Sequence, residues 1–213
     1  MALYYIEQLL RSRGTSLWHW SEMPYPDETY ITDFGNRLIH DEIDYNPVEL
    51  QSEYERLYAS LTTEQKSVYD TIVHSVDTGT GGVYFVYGYG GTGKTFLWKT
   101  LAAGIRRRGD IVLNVASSGI ASLLMSGGRT AHSRFHIPIN VDETSTCSIS
   151  AQSDLGKMLK KCKLILWDEA PMANKLCFEA LDRSLRDILC RSRYDTCEDP
   201  FEKMTMVFGG DFR

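Results

Sequence analysis

Gly88-Tyr89-Gly90-Gly91-Thr92-Gly93-Lys94-Thr95 fits the pattern G-x-x-x-x-G-K-[ST]. Such a run can grip a chain of phosphates. Glycines let successive backbone N–H groups curl around an anion with no Cβ in the way. A helix opening at the lysine adds unpaired N–H groups and a positive dipole. Lys94 can then neutralise the β- and γ-phosphate oxygens of a nucleotide, and the Thr95 hydroxyl can hold Mg²⁺. A second chemistry-bearing pair, Asp168-Glu169, ends the apolar run Leu164-Ile-Leu-Trp167. Neighbouring side chains at a strand end need not point the same way. Asp168 is therefore assigned to the Mg²⁺ shell, and Glu169 to positioning and deprotonating a water. Mg²⁺ keeps most of its waters and takes one or two carboxylates, so Asp168 need not touch it directly. A third acid, Asp211, follows Met206-Val-Phe-Gly209-Gly210. Its glycines allow backbone to approach a ligand, but alone this corner reads equally as an ordinary turn.

These groups need a frame. Val83–Tyr87 is apolar throughout, β-branched and aromatic, and predicts a buried strand before the glycine-rich loop. A helix is predicted from Lys94 to about Arg108, with Gly109 as its stop. Ile111–Ala116, Lys163–Trp167 and Thr205–Phe208 read as further strands. Thr62 and Gln65 have the spacing of a capping box and open a helix that ends near Gly79. Further helices are predicted over Gly119–Ser126, Leu155–Lys161 and Lys175–Leu189. Strands alternating with helices give an α/β fold, a mostly parallel sheet with helices on both faces. Ligands of such sheets sit beyond the carboxyl ends of the strands, where the glycines and acids fall. Residues 1–60 read as a mainly helical or irregular acidic leader, and residues 61–213 as one P-loop lobe. In the leader, Leu3, Ile6, Leu9 and Leu10 have helical spacing, Trp18–Asp33 has no period, and helical pieces from Leu38 to Leu61 are interrupted at Asn46-Pro47.

Composition narrows the classes. The 213 residues are 43% hydrophobic and 24% charged, close to ordinary globular proteins, so global disorder and collagen-like repeats are excluded. No uncharged apolar run approaches the roughly 20 residues of a membrane-spanning helix, and no membrane partner is expected. The start of the chain lacks the marks of a secretory signal or an organellar transit peptide. Five cysteines with no C-x-x-C pair read as reduced thiols. The net charge of −5 is unevenly spread: residues 1–65 hold 4 Lys/Arg against 12 Asp/Glu, and the remainder 19 against 16. The acidity therefore belongs to the leader and does not argue against a nucleic-acid partner for the rest.

Taken together, Gly88–Thr95, Asp168-Glu169-Ala170 and Gly209-Gly-Asp211-Phe-Arg213 resemble the Pif-family (petite integration frequency) DNA helicases of superfamily one. Within them the chain looks most like the plant group related to rolling-circle, Helitron-type transposon helicases. The resemblance runs over about residues 35–213 and includes Leu61-Thr-x-x-Gln65, Ala116–Ser122 and Gly128-Arg-Thr130-Ala-His132-Ser133. It implies a RecA-like first motor lobe that binds ATP and Mg²⁺ through Gln65, Gly88, Tyr89, Gly90, Gly91, Thr92, Gly93, Lys94, Thr95 and Asp211, with Thr95 and Asp168 at the metal. Lys94, Asp168 and Glu169 would carry the catalysis. Gln65 would read the adenine edge with its two-faced amide, its rival role being the capping box itself. Asp211 would link phosphate state to DNA.

Family members move 5′ to 3′ on single-stranded DNA and unwind duplexes. The resemblance therefore implies single-stranded DNA and duplex junctions as partners, a monomer, a nuclear location, and work in DNA repair, DNA damage responses, recombination and telomere maintenance. It favours Thr130, His132 and Ser133, with Arg134 beside them, as DNA contacts; a loop packed on the next strand is the other reading. Arg106-Arg-Arg108 and the lysines at 157–163 read as solvated helix ends, and Trp167 as core. In the family, Gly-Gly-Asp-Phe-Arg is followed by a glutamine that senses the γ-phosphate, and a second lobe supplies an arginine finger. The chain is thus expected to be a truncated first lobe: a fragment, a partial reading frame or a degenerate copy. A module that binds nucleotide or DNA without turnover, and a P-loop ATPase of another kind with no DNA dependence, remain as alternatives.

Overall fold

A computed structural model describes residues 36–189, 201 and 204–211, with residues 3, 6, 7, 10, 15–20 and 22–24 before them. Parts of the leader, including Leu9 and most of Trp18–Asp33, lie outside the described residues, as do Phe212 and Arg213. Helices α1 (Arg37–Ile43) and α2 (Pro47–Ala59) precede the lobe proper. Asn46-Pro47 opens α2 as well as separating it from α1. The Asn46 side chain accepts from the Val48 N–H at 3.1 Å, and Pro47 takes the first helical turn, where a missing N–H is harmless. Helix α3 (Thr63–Thr78) carries the complete capping box and ends at Gly79, φ 64°.

Five strands follow: β1 (Gly82–Tyr87), β2 (Ile111–Ala116), β3 (Arg129–Thr130), β4 (Cys162–Asp168) and β5 (Thr205–Gly210). All pair in parallel, in the order β1-β5-β4-β2-β3. Helices α4 (Lys94–Arg106), α5 (Gly119–Ser122), α6 (Ala131–Phe135), α7 (Asp154–Lys161) and α8 (Lys175–Leu189) connect them. Two apolar layers result. On one face α3 and α4 pack Ile72, Leu101 and Ile105 against Val112, Leu164, Leu166 and Val207. On the other, α6, α7 and α8 pack Phe135, Met158 and Leu181 against Leu113, Ile165, Trp167 and Met206. Trp98 and Trp167 are both fully buried, and burial of a large apolar side chain contributes about 1.5–3 kcal/mol. No helix among the described residues is long and apolar enough to cross a membrane.

Two expectations are corrected. Strand β1 is not buried on both faces: it pairs only with β5 among the described strands, and Val83, Phe85 and Tyr87 are 48%, 41% and 50% exposed. Its alternate residues, Tyr84 and Val86, face the core. Nor do Arg106–Arg108 form a solvated helix end. Arg106 is buried, Arg107 stacks 4.1 Å over the Tyr54 ring and donates to Gln51, and only Arg108 reaches a surface ion pair, with Asp77. Cys147, Cys162 and Cys177 are free, buried thiols, while Cys190 and Cys197 lie outside the described residues.

Candidate functional site

The glycine-rich loop joins the carboxyl end of β1 to α4. Gly93, φ 88°, opens α4 and brings no side-chain cap, so the first N–H groups of the helix have neither an intrahelical nor a side-chain acceptor there. The Lys94 ammonium sits on the loop itself, donating to the carbonyls of Gly88 and, at 3.1 Å, Tyr89. Tyr89 turns outward, its ring edge-on to Tyr87 with centroids 5.6 Å apart, so the residue offers the loop its backbone. A Cβ at Gly93 would lie 2.6 Å from Gln65 Nε2, so the amide of Gln65 lies directly against the loop. That same side chain completes the capping box: its Oε1 accepts from the Thr62 N–H at 3.1 Å, and the Gln65 N–H donates to Thr62 Oγ1 at 3.3 Å. Capping and proximity to the phosphate loop thus coexist in one residue.

Strand β4 delivers the acid pair to the same edge. Asp168 is 4% exposed, and its Oδ1 has no hydrogen-bond partner among the described residues. Glu169 follows in the left-handed region, φ 52° and ψ 39°, before the 3₁₀ turn Ala170–Met172. The kink turns its carboxylate away from the line of the strand. The carboxyl end of β4 is also fastened to the segment after β2: the Ser117 N–H donates to the Asp168 carbonyl at 3.1 Å, and Trp167 Nε1 donates to Ser117 Oγ at 2.9 Å. Gly209 in β5 lets its neighbours close in, because a Cβ there would fall inside 3.0 Å of the Trp98 ring and 3.3 Å from Asp168 Oδ1.

A cleft of about 930 Å³ opens at this edge of the sheet, lined by Gly90, Lys94, Ser118, Glu169, Pro171 and Asp211 among others. Three segments far apart in sequence thereby place a cation and two carboxylates around one space. Asp168 ends β4, one residue before Glu169, and Thr95 follows Lys94 in the first turn of α4; neither is among the cleft's lining residues. A buried carboxylate oxygen without a protein donor fits a cation or a water that a cation holds, so the residues present suit a magnesium nucleotide. Among the described residues no group of three or more His, Cys, Asp or Glu converges, and magnesium needs only one or two carboxylates.

The expected DNA contacts divide. Thr130 and His132 are half-buried and Ser133 is exposed, with Thr130 capping α6 by accepting from the Ser133 N–H at 3.3 Å. His132 Nε2 also lies 3.8 Å from Cys177 Sγ. Arg134 does not join them: it is 4% exposed and its guanidinium faces Glu42, from α1. A buried, paired cation cannot reach a phosphate backbone, so Arg134 is removed from the DNA-contact set. Trp98, against Gly209, and Ser117, bonded to Trp167 and to the Asp168 carbonyl, support the site; Ser117 lies within Ala116–Ser122, while no local pattern marks Trp98.

The family model for PIF1-like helicases matches residues 60–213. The ATP-dependent DNA helicase PIF4 of Trypanosoma brucei brucei is 28% identical over 136 residues, covering 62% of this chain and 16% of the relative. A crystal structure of Bacteroides Pif1 bound to single-stranded DNA is 29% identical with a TM-score of 0.55, covering 71% of this chain and 32% of the other. Bacteroides Pif1 in complex with ADP-AlF3 and single-stranded DNA is 28% identical, also with a TM-score of 0.55 and the same coverage. The chain spans at most about a third of the length of each of these relatives.

Proposed function

The chain belongs to the PIF1-like helicase family, and from that premise we propose that it is the ATP-binding first motor lobe of an ATP-dependent DNA helicase. The observation that carries this reading is the convergence of Gly90, Lys94, Glu169 and Asp211 on one cleft at the carboxyl edge of a parallel sheet. In it the loop amides of residues 88–95 cradle the triphosphate, and Lys94 neutralises its β- and γ-oxygens. Glu169 orients a water and accepts its proton as the water oxygen bonds to the γ-phosphorus and the bond from that phosphorus to the β,γ-bridging oxygen breaks, releasing ADP and phosphate. Gln65, with one face of its amide used in the helix cap and Nε2 against Gly93, reads the adenine edge. Magnesium would be held by Thr95 and Asp168 and would offset charge on the β- and γ-phosphates. Asp211, on the cleft wall, would carry the state of the phosphates towards the DNA.

Thr130, His132 and Ser133 are proposed as contacts to single-stranded DNA, a reading supported by their partly exposed turn and by relatives solved with such DNA. Movement from 5′ to 3′, action at duplex junctions, work as a monomer, and a nuclear role in repair, recombination and telomere maintenance are proposed for the whole protein from its family.

The test is Lys94→Ala, titrated with a fluorescent ATP analogue in the presence of magnesium. A charge-assisted hydrogen bond is worth about 1.5–3 kcal/mol, so affinity should fall by roughly ten- to a hundredfold. Among the described residues Lys94 bonds only to carbonyls of its own loop, so the fold, followed by circular dichroism, should be retained. Undiminished nucleotide binding by a folded Lys94→Ala would refute the site.

A further inference from the structure

Glu42 lies in the last turn of α1, in a segment that precedes the family-matched residues. Its carboxylate is buried and shared by two arginines. Arg134 Nη2 meets Oε1, and Arg106 Nη2 lies 3.5 Å from Oε2; the three side chains are 2–7% exposed. Arg106, in the last turn of α4, also donates to the carbonyls of Val112 at 2.8 Å and Ser126 at 3.1 Å. Arg134 is different. Among the described residues Glu42 is its hydrogen-bond acceptor, and its Nε has none. Arg134 belongs to α6, a helix of 5 residues that begins directly after Thr130 and contains His132 and Ser133. So short a helix has little stability of its own, and its orientation comes from what its side chains are anchored to.

We propose that Glu42 is a positioning residue for DNA binding: by holding Arg134 inside the protein it fixes the turn that presents Thr130, His132 and Ser133. This rests on the proposal above that the turn faces DNA. The leader thereby supplies a working part of the lobe. A buried arginine so placed acts on DNA affinity without touching the DNA, whereas an arginine on a phosphate would release a counterion and set the salt dependence.

The test titrates fluorescein-labelled oligothymidine into the whole chain at several salt concentrations, for wild type, Glu42→Gln and Arg134→Met, with fluorescent ADP titrated in parallel. The expected result is oligothymidine binding about tenfold weaker in both variants, as for other small misplacements of binding groups. The slope of log affinity against log salt should be unchanged, and ADP affinity should stay within about twofold. Should Glu42→Gln fail to fold, Arg134→Met carries the test, since it leaves one carboxylate facing one guanidinium.

Unchanged DNA affinity in folded variants, whatever their melting temperatures, would overturn the inference and leave the cluster purely structural. A slope reduced by about one in Arg134→Met would overturn it too, by making Arg134 a direct phosphate contact. A wild-type chain that binds no oligothymidine would instead bring down the DNA reading beneath it, and the inference with it.

Discussion

Gly209→Ala probes how closely the site is packed. The added methyl would fall inside 3.0 Å of the Trp98 ring and 3.3 Å from Asp168 Oδ1. Carbon atoms rest about 3.5–4.0 Å apart, so the ring must retreat by roughly 1 Å. It has little room to do so: Trp98 is fully buried in a layer with Leu101, Leu166 and Val207. Overpacking of this kind destabilises by about 1–3 kcal/mol. An opposing effect is smaller. Replacing glycine where the backbone suits alanine reduces the freedom of the unfolded chain, which stabilises by about 0.4–1 kcal/mol. The steric effect wins, with a net loss of about 1–2 kcal/mol, or roughly 2–8 °C in melting temperature for a chain of this size. Trp98 lies one helical turn beyond Lys94 on α4, so a displaced ring also disturbs the phosphate loop, and nucleotide affinity should fall together with stability. Scanning calorimetry and a fluorescent-ATP titration measure the two. Gly90→Ala is the control for stability alone, since a methyl there meets no protein atom within 4 Å. Combining Gly209→Ala with Trp98→Phe should lose less than the two single changes added. A Gly209→Ala protein that melts at or above wild type and binds ATP normally would refute the reasoning.

The capping box and the adenine reading separate by substitution. Thr62→Ala and Gln65→Ala each remove one half of the box and should lower stability by about 1 kcal/mol, but only Gln65→Ala should also erase a preference for ATP over GTP in competition titrations. Burial pushes the Cys147 and Cys162 thiols up, to about 11 and about 12. A raised thiol pKa means that the unfolded chain loses its protons first as pH rises. The stability these thiols contribute is therefore intact below about pH 8.5 and declines from there until the folded-state thiols ionise. Urea midpoints should drop between pH 8 and 10.5, and substituting both cysteines with serine should flatten that part of the profile.

Much of the frame was legible because its signals are local. The run from Lys163 to Trp167 followed by two acids, the capping-box spacing of Thr62 and Gln65, and the helical period over Lys175–Leu189 each lie within one element, and each is found where the spacing put it. What was misread depends on distant neighbours. Val83–Tyr87 is apolar at every position, as an inner strand would be, and nothing within it reveals that β5 alone flanks it among the described strands. Arg134 reads as a cation beside a DNA-facing turn until its partner is known, and Glu42 lies 92 positions earlier. Arg106 reads as part of a solvated basic run for the same reason: its partner Glu42 lies 64 positions earlier. Gln65 shows the reverse: two roles that compete on paper are compatible in space, because the cap uses the amide oxygen while the nitrogen lies against Gly93.

Glu169 occupies a backbone region that residues other than glycine, asparagine and aspartate seldom visit, at an energetic disadvantage of about 1–2 kcal/mol. Glycine at that position would relax the chain and harden it against heat and, on the role proposed for Glu169, would leave no group to ready water for attack. Thermal resilience and turnover therefore pull this one position in opposite directions. A screen that selected for heat resistance alone would drift towards a sturdier, idle motor.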